Sequence, residues 1–456
     1  MTDEPRERNM VKRLVAACTA LVLTGCVLAI AVPMWWVEVL PLADYPQHLG
    51  TIAAIDGQNH ARWASYFAVD YGRVQYLLFY LLSDWLADLF GVETATRLVT
   101  IASVAGLPLA VAAFLRSHGR PALLGALAAA TSLHVYVFWG FINYSMAIAL
   151  ALLCLAALAR LVRAPGPRPA AVYGGLVVLC FYTHAQLYIW VAVASFLQVV
   201  VMAPAVGRRQ AWRGAWHGLI AAIPSVVAAV VWVVRSGLLH SGMAGQRSHV
   251  APAVVQSGAR FVSPAETLGH WREHSFDVYR HGTDEQLGTA FLAVLGLLLG
   301  LRILLFFRQR KDAPDRQENT TQDDGERRES WAPEAILALA LACYLFAPVS
   351  YKLIEPISHR FLPLTLALAA VLGPVRLRGV RLKLLVAGAL FGLALFAGRV
   401  HHDGLQRAAA EIGELDQALS HTKPGRRLLG LIHDRYSRVT RAPTWIHSQQ
   451  YYQARV

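Results

Sequence analysis

Apolar runs of about 16–25 residues recur along the whole 456-residue chain and dictate most of what it can become. At about 1.5 Å of rise per residue, a helix of that length crosses a hydrocarbon core of about 30 Å. No soluble core would need so many such runs, and the 56% hydrophobic content with a mean hydropathy of +0.42 agrees. The expected fold is an all-α polytopic membrane protein.

The basic residues set the expected topology. Arg6, Arg8, Lys12 and Arg13 precede the first run, which is too long for a signal-peptide core and has no small-x-small cleavage site. It reads as an uncleaved anchor entering from a cytoplasmic segment, 1–12. Basic loops at Arg160/Arg163/Arg168, Arg208/Arg209/Arg213, Arg308/Arg310/Lys311 and Arg376/Arg378/Arg381/Lys383 are each expected inside the cell. For Arg116 and Arg120 to be inside as well, one early run must fail to cross. The stretch 74–90 carries Ser83, Asp84 and Asp88, and two carboxylates in a spanning helix are costly, so it is expected to be an interfacial helix on the outer face.

About eleven spans then follow, at roughly 13–37, 95–115, 121–139, 141–160, 170–183, 185–204, 216–234, 287–307, 335–350, 361–375 and 382–398. They place the membrane domain at 13–398, with a first outer loop at 41–94, a long outer loop at 235–286 and an outer tail at 399–456. Residues 308–334, dense in Arg, Asp, Glu and Gln, are expected to form a flexible cytoplasmic loop. The tail shows helical spacing from His402 to Leu419 and a short strand pattern over 427–432. The expected location is a cell membrane, multi-pass, N-terminus inside and C-terminus outside.

A formal charge of +13 raises nucleic acid as a partner, but the basic residues are spread over short loops between apolar runs and report topology instead. Cys18, Cys26, Cys154, Cys180 and Cys343 all lie within apolar runs and read as small buried hydrophobes. The histidines of the long outer loop, His240, His249, His270, His274 and His281, show no metal-ligand spacing and read as surface residues.

Polar chemistry concentrates in three places. Asp44 and His48 follow the first span, and Pro46 favours a helix starting near Asp44, putting both side chains on one face. A carboxylate at a helix N-terminus stays ionised and suits proton abstraction from a hydroxyl, although an ordinary N-cap with a solvated histidine is the plain alternative. In the stretch 351–360, Lys352, His359 and Arg360 offer cationic donors to a phosphate. His184 breaks two apolar halves, and ionisable groups at such depth are functional candidates; Asn143 and His134 fit helix–helix contacts better.

Five short motifs, Asp44-Tyr45-Pro46-Gln47-His48, Gly140-Phe141-Ile142-Asn143-Tyr144, Tyr182-Thr183-His184, His359-Arg360-Phe361-Leu362-Pro363 and Ile446-His447-Ser448-Gln449-Gln450-Tyr451-Tyr452, resemble the GT-C superfamily of polytopic glycosyltransferases, including a bacterial branch. The resemblance implies transfer of a sugar from a polyprenyl-phosphate donor, entering from the outer leaflet, to an extracytoplasmic glycan, lipid or protein acceptor. Asp44 and His48 would be catalytic, and Lys352, His359 and Arg360 would bind the donor phosphate. Tyr45, Asn143, His184, Glu355 and His447 would line the substrate cavity. The chain departs from better-known members in having one acid at the loop rather than an adjacent pair. Asp44 and His48 offer only two ligands to a divalent ion, so no metal site is assigned and the cofactor stays open. Two other classes fit the same features, a transporter or lipid flippase and a non-catalytic cell-envelope assembly protein.

Overall fold

A computed structural model describes residues 4–59, 66–236, 258–311, 330–351, 354–413, 415–423, 428–430, 432 and 434–455. It is about 73% helical. The first half runs α1 (Glu4–Trp35), α2 (Tyr45–Asn59), α3 (Leu78–Phe90), α4 (Val92–Ala105), α5 (Leu107–Ser117), a 3-10 segment (Ala122–Thr131), α6 (Val135–Phe138), α7 (Ile142–Arg163), α8 (Pro167–Phe181) and α9 (Ala185–Val206). The second half runs α10 (Arg208–Arg235), α11 (Pro264–Gly269), α12 (Thr283–Lys311), α13 (Ala332–Phe346), α14 (Phe361–Leu368), α15 (Val380–Ala410), α16 (Leu415–Ser420) and α17 (Tyr451–Arg455). Strands β1 (Ala259–Arg260) and β2 (Ser350–Tyr351) pair antiparallel, Ala259 opposite Tyr351.

Among the described residues, seven helices are long and apolar enough to cross a membrane, and four shorter apolar ones accompany them. Only 11% of the most apolar stretch of α10, and 11% of that of α12, is buried within the protein. Val226, Val227, Val230 and Val231 on α10 and Leu304, Phe306 and Phe307 on α12 are exposed. Apolar surface of that extent is stable against lipid and not against water, so the architecture is that of an all-α membrane protein. At the centre, α7 is enclosed by its neighbours and buries Leu152, Cys154, Leu155, Leu158 and Leu161. Gly214 of α10 allows the closest approach there, because a Cβ in its place would stand 2.7 Å from Val162 Cα.

One end of the bundle carries the polar motifs. Leu77 and Leu78, at the start of α3, donate to the Tyr182 carbonyl at 2.8 and 2.9 Å. Beyond its far end, Arg97 of α4 donates to the Val37 and Glu38 carbonyls just past α1, at 2.6 and 2.5 Å. α3 therefore starts beside Tyr182 and leads into α4, whose Arg97 reaches the end of α1. The last segment docks there too: Arg280 donates to the Val439 carbonyl at 2.8 Å, Arg441 to that of Val278 at 2.9 Å, and Arg455 pairs with Glu93 at 2.8 Å.

The C-terminal tail differs from expectation in two respects. α15 continues past residue 398 to Ala410 because Leu405 and Ala408 keep its apolar face buried. Leu428, Leu429, Gly430 and Ile432 form no strand; 427 and 431 lie outside the described residues. The central part of the 308–334 loop, 312–329, also lies outside them, as do 237–257 of the long loop, with His240 and His249.

Candidate functional site

Asp44 immediately precedes α2, and its carbonyl accepts the His48 amide at 2.9 Å, so the helix starts where Pro46 favours it. Gly140 lies against this turn with φ of +88°, and a Cβ there would stand 2.6 Å from that of Asp44. The Asp44 carboxylate is half-buried, and its ion-pair partner among the described residues is His447, Nε2 to Oδ1 at 3.6 Å. Burial raises its affinity for a proton, and the charge of His447 opposes that rise. The tail thus delivers His447 to the first motif across about 400 residues of sequence.

His48 does not share this role. Its Nε2 lies 3.0 Å from the Gly140 carbonyl and its Nδ1 2.7 Å from the Tyr80 hydroxyl. A carbonyl can only accept, so Nε2 carries the proton and Nδ1 accepts from Tyr80. Burial holds the ring well below the usual histidine range, at about 4, while burial and then the Asp44 charge push Tyr80 up to about 12. Both groups are therefore neutral near pH 7, and His48 has no nitrogen left for a substrate or a metal ion. It positions α2 against α3 and Gly140.

The cationic half is built on the neighbouring motif. The Arg360 guanidinium lies over the Phe141 ring, 4.4 Å from its centroid, and donates from Nη2 to the Glu355 carbonyl at 3.2 Å. Its Nε is buried with no partner among the described residues. Tyr144 donates to the Arg360 carbonyl, fixing the chain there. The His184 ring meets those of Tyr144 and Tyr76, each at 5.2 Å between centroids, and its Nδ1 is unpartnered. Beside Arg360, His359 stacks on His274 at 3.6 Å, and the Tyr344 hydroxyl holds His274 Nδ1 at 3.0 Å.

Followed residue to residue, these contacts close a ring. Asp44 meets Gly140; Phe141 carries Arg360; Arg360 joins Tyr144, then His184, then Tyr76; four residues on, Tyr80 returns to His48 and the Asp44 turn. Asp44, His184, His359, Arg360 and His447 are thereby gathered at one end. Asn143 is buried with its Oδ1 unpartnered. Tyr45 turns away, fully buried beneath the tail, 6.5 Å from the Tyr451 ring. Glu355 is at the surface in an exposed 3.2 Å ion pair with Arg260, and Lys352 lies outside the described residues.

Sequence reasoning missed Tyr76 and Tyr80, gave Gly140 and Tyr144 no role within their motif, and put His274 at the surface with its neighbours. His270 and His281 are indeed exposed, but the ring of His274 covers His359. Its hidden signal was Ser275-Phe276, two buried residues directly after it. Among the described residues no three His, Cys, Asp or Glu side chains converge to hold a metal ion. No protein-family model, curated protein or solved structure matches the chain.

Proposed function

We propose that this protein is a membrane glycosyltransferase that moves a sugar from a polyprenyl-phosphate donor to an acceptor hydroxyl at the membrane surface. The observation that carries the reading is a half-buried carboxylate, its proton affinity raised by burial, on the same ring of contacts as a guanidinium that lies over an aromatic face. In the reaction, the acceptor oxygen attacks the anomeric carbon and its proton passes to Asp44. The bond from that carbon to the phosphate oxygen breaks, and the lipid phosphate leaves with the electron pair. Arg360, with His359 at its side, stabilises the departing charge, and attack opposite the leaving group inverts the anomeric centre. His447 holds the Asp44 carboxylate in place until the acceptor arrives.

The seven long helices and four shorter apolar ones among the described residues support a reading with eleven crossings, α3 being interfacial. Arg116, Arg163, Arg208 and Arg376 at the end opposite Asp44 favour that end as cytoplasmic, which puts the ring and the tail outside the cell membrane.

The test uses the full chain in proteoliposomes with a radiolabelled short-chain polyprenyl-phosphate hexose and crude envelope acceptor, following release of the lipid phosphate. Asp44→Asn is expected to lower the rate by about 10²- to 10⁴-fold while leaving the thermal midpoint near that of the unaltered protein. Equal rates for the two proteins across a panel of sugars would remove the enzyme reading and leave a scaffold.

A further inference from the structure

Four segments bring aromatic rings and an imidazole together around Arg360 at the start of α14. The guanidinium carbon stands 4.4 Å from the Phe141 centroid, and Tyr136 of α6 stacks parallel to Phe141 at 6.2 Å. Tyr136 also meets Tyr144 of α7 edge-on at 6.4 Å, and the His184 ring stands 5.2 Å from both Tyr144 and Tyr76. Tyr76 is held there because the next two amides, of Leu77 and Leu78, donate to the Tyr182 carbonyl, two residues before His184. The guanidinium charge acts on the hydroxyls of Tyr76, Tyr136 and Tyr144 and on the His184 ring, so all four lie within its electrostatic reach. Tyr144 is in the first turn of α7, and His184 and Arg360 directly precede α9 and α14. The positive ends of three helix dipoles therefore add to the potential here.

The hydrogen bonding of this box is one-sided. The Tyr144 hydroxyl is used on the Arg360 carbonyl, and the guanidinium gives one N–H to the Glu355 carbonyl at 3.2 Å. Among the described residues the hydroxyls of Tyr76 and Tyr136 have no hydrogen-bond partner, and neither has any nitrogen of His184, a residue only 6% exposed. Arg360 Nε is buried in the same condition. Each of these groups has a hydrogen to donate, and a buried donor without an acceptor is costly. No carboxylate among the described residues pairs with Arg360. The segments outside them that lead in sequence to Tyr76 and Arg360, 60–65 and 352–353, contain no Asp or Glu, and neither does 237–257. The box offers donors and lacks an acceptor.

We propose that Arg360, Tyr76, Tyr136 and His184 form a pocket that prefers the phosphate monoester of a lipid to a phosphate diester. A diester presents two free oxygens and a single negative charge. When its bond to the sugar breaks, the bridging oxygen keeps the electron pair and becomes a third free oxygen with a second charge. The four donor side chains suit three oxygens better than two, so the pocket tightens on the phosphate as the bond breaks and then releases the product slowly. The place of the monoester in a reaction rests on the sugar-transfer reading, whereas its binding needs no sugar.

The full-length protein in neutral detergent is titrated with farnesyl phosphate, methyl farnesyl phosphate, farnesol and inorganic phosphate, and each affinity is measured by calorimetry with no sugar donor present. Farnesyl phosphate is expected to bind about ten-fold more tightly than its methyl diester, and farnesol most weakly of the three lipids. Tyr76→Phe and Tyr136→Phe remove a single oxygen each, and each should weaken the monoester about five- to ten-fold while moving the diester less than about two-fold. Both variants are first shown to keep the unaltered thermal midpoint. Equal affinity for monoester and diester overturns the proposal, as does monoester binding that neither variant changes. Inorganic phosphate that binds as tightly as farnesyl phosphate overturns it too, and marks a site for the soluble ion. Monoester preference in a protein that transfers no sugar would keep the pocket and remove the transferase reading; transfer without that preference would do the reverse.

Discussion

Arg120 and Arg360 occupy opposite ends of the bundle, and their surroundings are opposite in kind. Arg120 is buried and joined to Glu334 at 2.6 Å, and that pair, with Arg302, ties α12 and α13 to the loop after α5. Arg360 has no carboxylate partner among the described residues; its plane rests on Phe141 and one nitrogen reaches the Glu355 carbonyl. A guanidinium locked to an acid holds helices together, whereas one supported by an aromatic face keeps its charge available for a transient anion. The carboxylates differ in the same way. Glu334 takes two short charged contacts through one oxygen, while Asp44 has a histidine at 3.6 Å. The proposed proton transfer is assigned to the loosely held acid.

Removing Glu334 should break the architectural side of this contrast. Glu334→Ala leaves Arg120 and Arg302 without their acid at depth, and the expected loss of stability is about 3–5 kcal/mol, read from thermal unfolding in detergent. The proposed sugar transfer, measured per folded molecule, should hardly change in rate. A loss below about 1 kcal/mol would mean that the guanidiniums find water or lipid phosphate instead, and the contrast with Arg360 would weaken.

Arg360→Gln tests the other side and should reverse the pattern. Stability should change little, because the backbone bonds to Tyr144 and the surrounding turn do not need the guanidinium. If the proposed function holds, turnover of the proposed polyprenyl-phosphate donor should fall by about 10²- to 10³-fold, the cost of losing one aimed donor to a developing anion. An Arg360→Gln protein that unfolds early but turns over normally when folded would assign Arg360 to structure.

The two ends were not equally legible in the chain. The run lengths announced the membrane helices, and 74–90 does hold a helix, α3, whose carboxylates Asp84 and Asp88 are the reason to read it as interfacial. Asp44 stood out because it follows a long apolar run. What surrounds it could not be read, since Gly140 reaches Asp44 across 96 positions and His447 across 403. A glycine needed for close approach looks like any other glycine until the helices are packed. The pairing of His48 escaped for the same reason: spacing put it on a face with Asp44, but the Gly140 carbonyl and Tyr80 hydroxyl decide which way its nitrogens turn. The strand pattern in the tail gives no strand at the described positions 428–430 and 432, because a strand pattern alone does not bring a pairing partner alongside.

His48 offers the finest test of how the Asp44 end is held. Burial keeps its proton affinity down, at about 4 against the ordinary 6.5, with the Gly140 bond opposing that shift and the His447 charge adding to it. The folded state therefore prefers the neutral ring. The stability this confers is fully present above about pH 6.5, where the unfolded chain is also neutral, and is lost as pH falls through 4. Between pH 7 and pH 5 the share belonging to His48 amounts to about 2 kcal/mol. Other buried histidines add to the total acid sensitivity, His118 at the opposite end among them, so the informative quantity is a difference. Glutamine at 48 can donate to the Gly140 carbonyl and accept from Tyr80 without ever taking a proton. Thermal unfolding of the unaltered protein and His48→Gln at pH 7, 6 and 5 should give curves that converge as the pH falls, the variant losing less. If the two lines stay parallel, the ring is reached by solvent and the neutral Tyr80–His48–Gly140 chain is not what fixes the Asp44 turn.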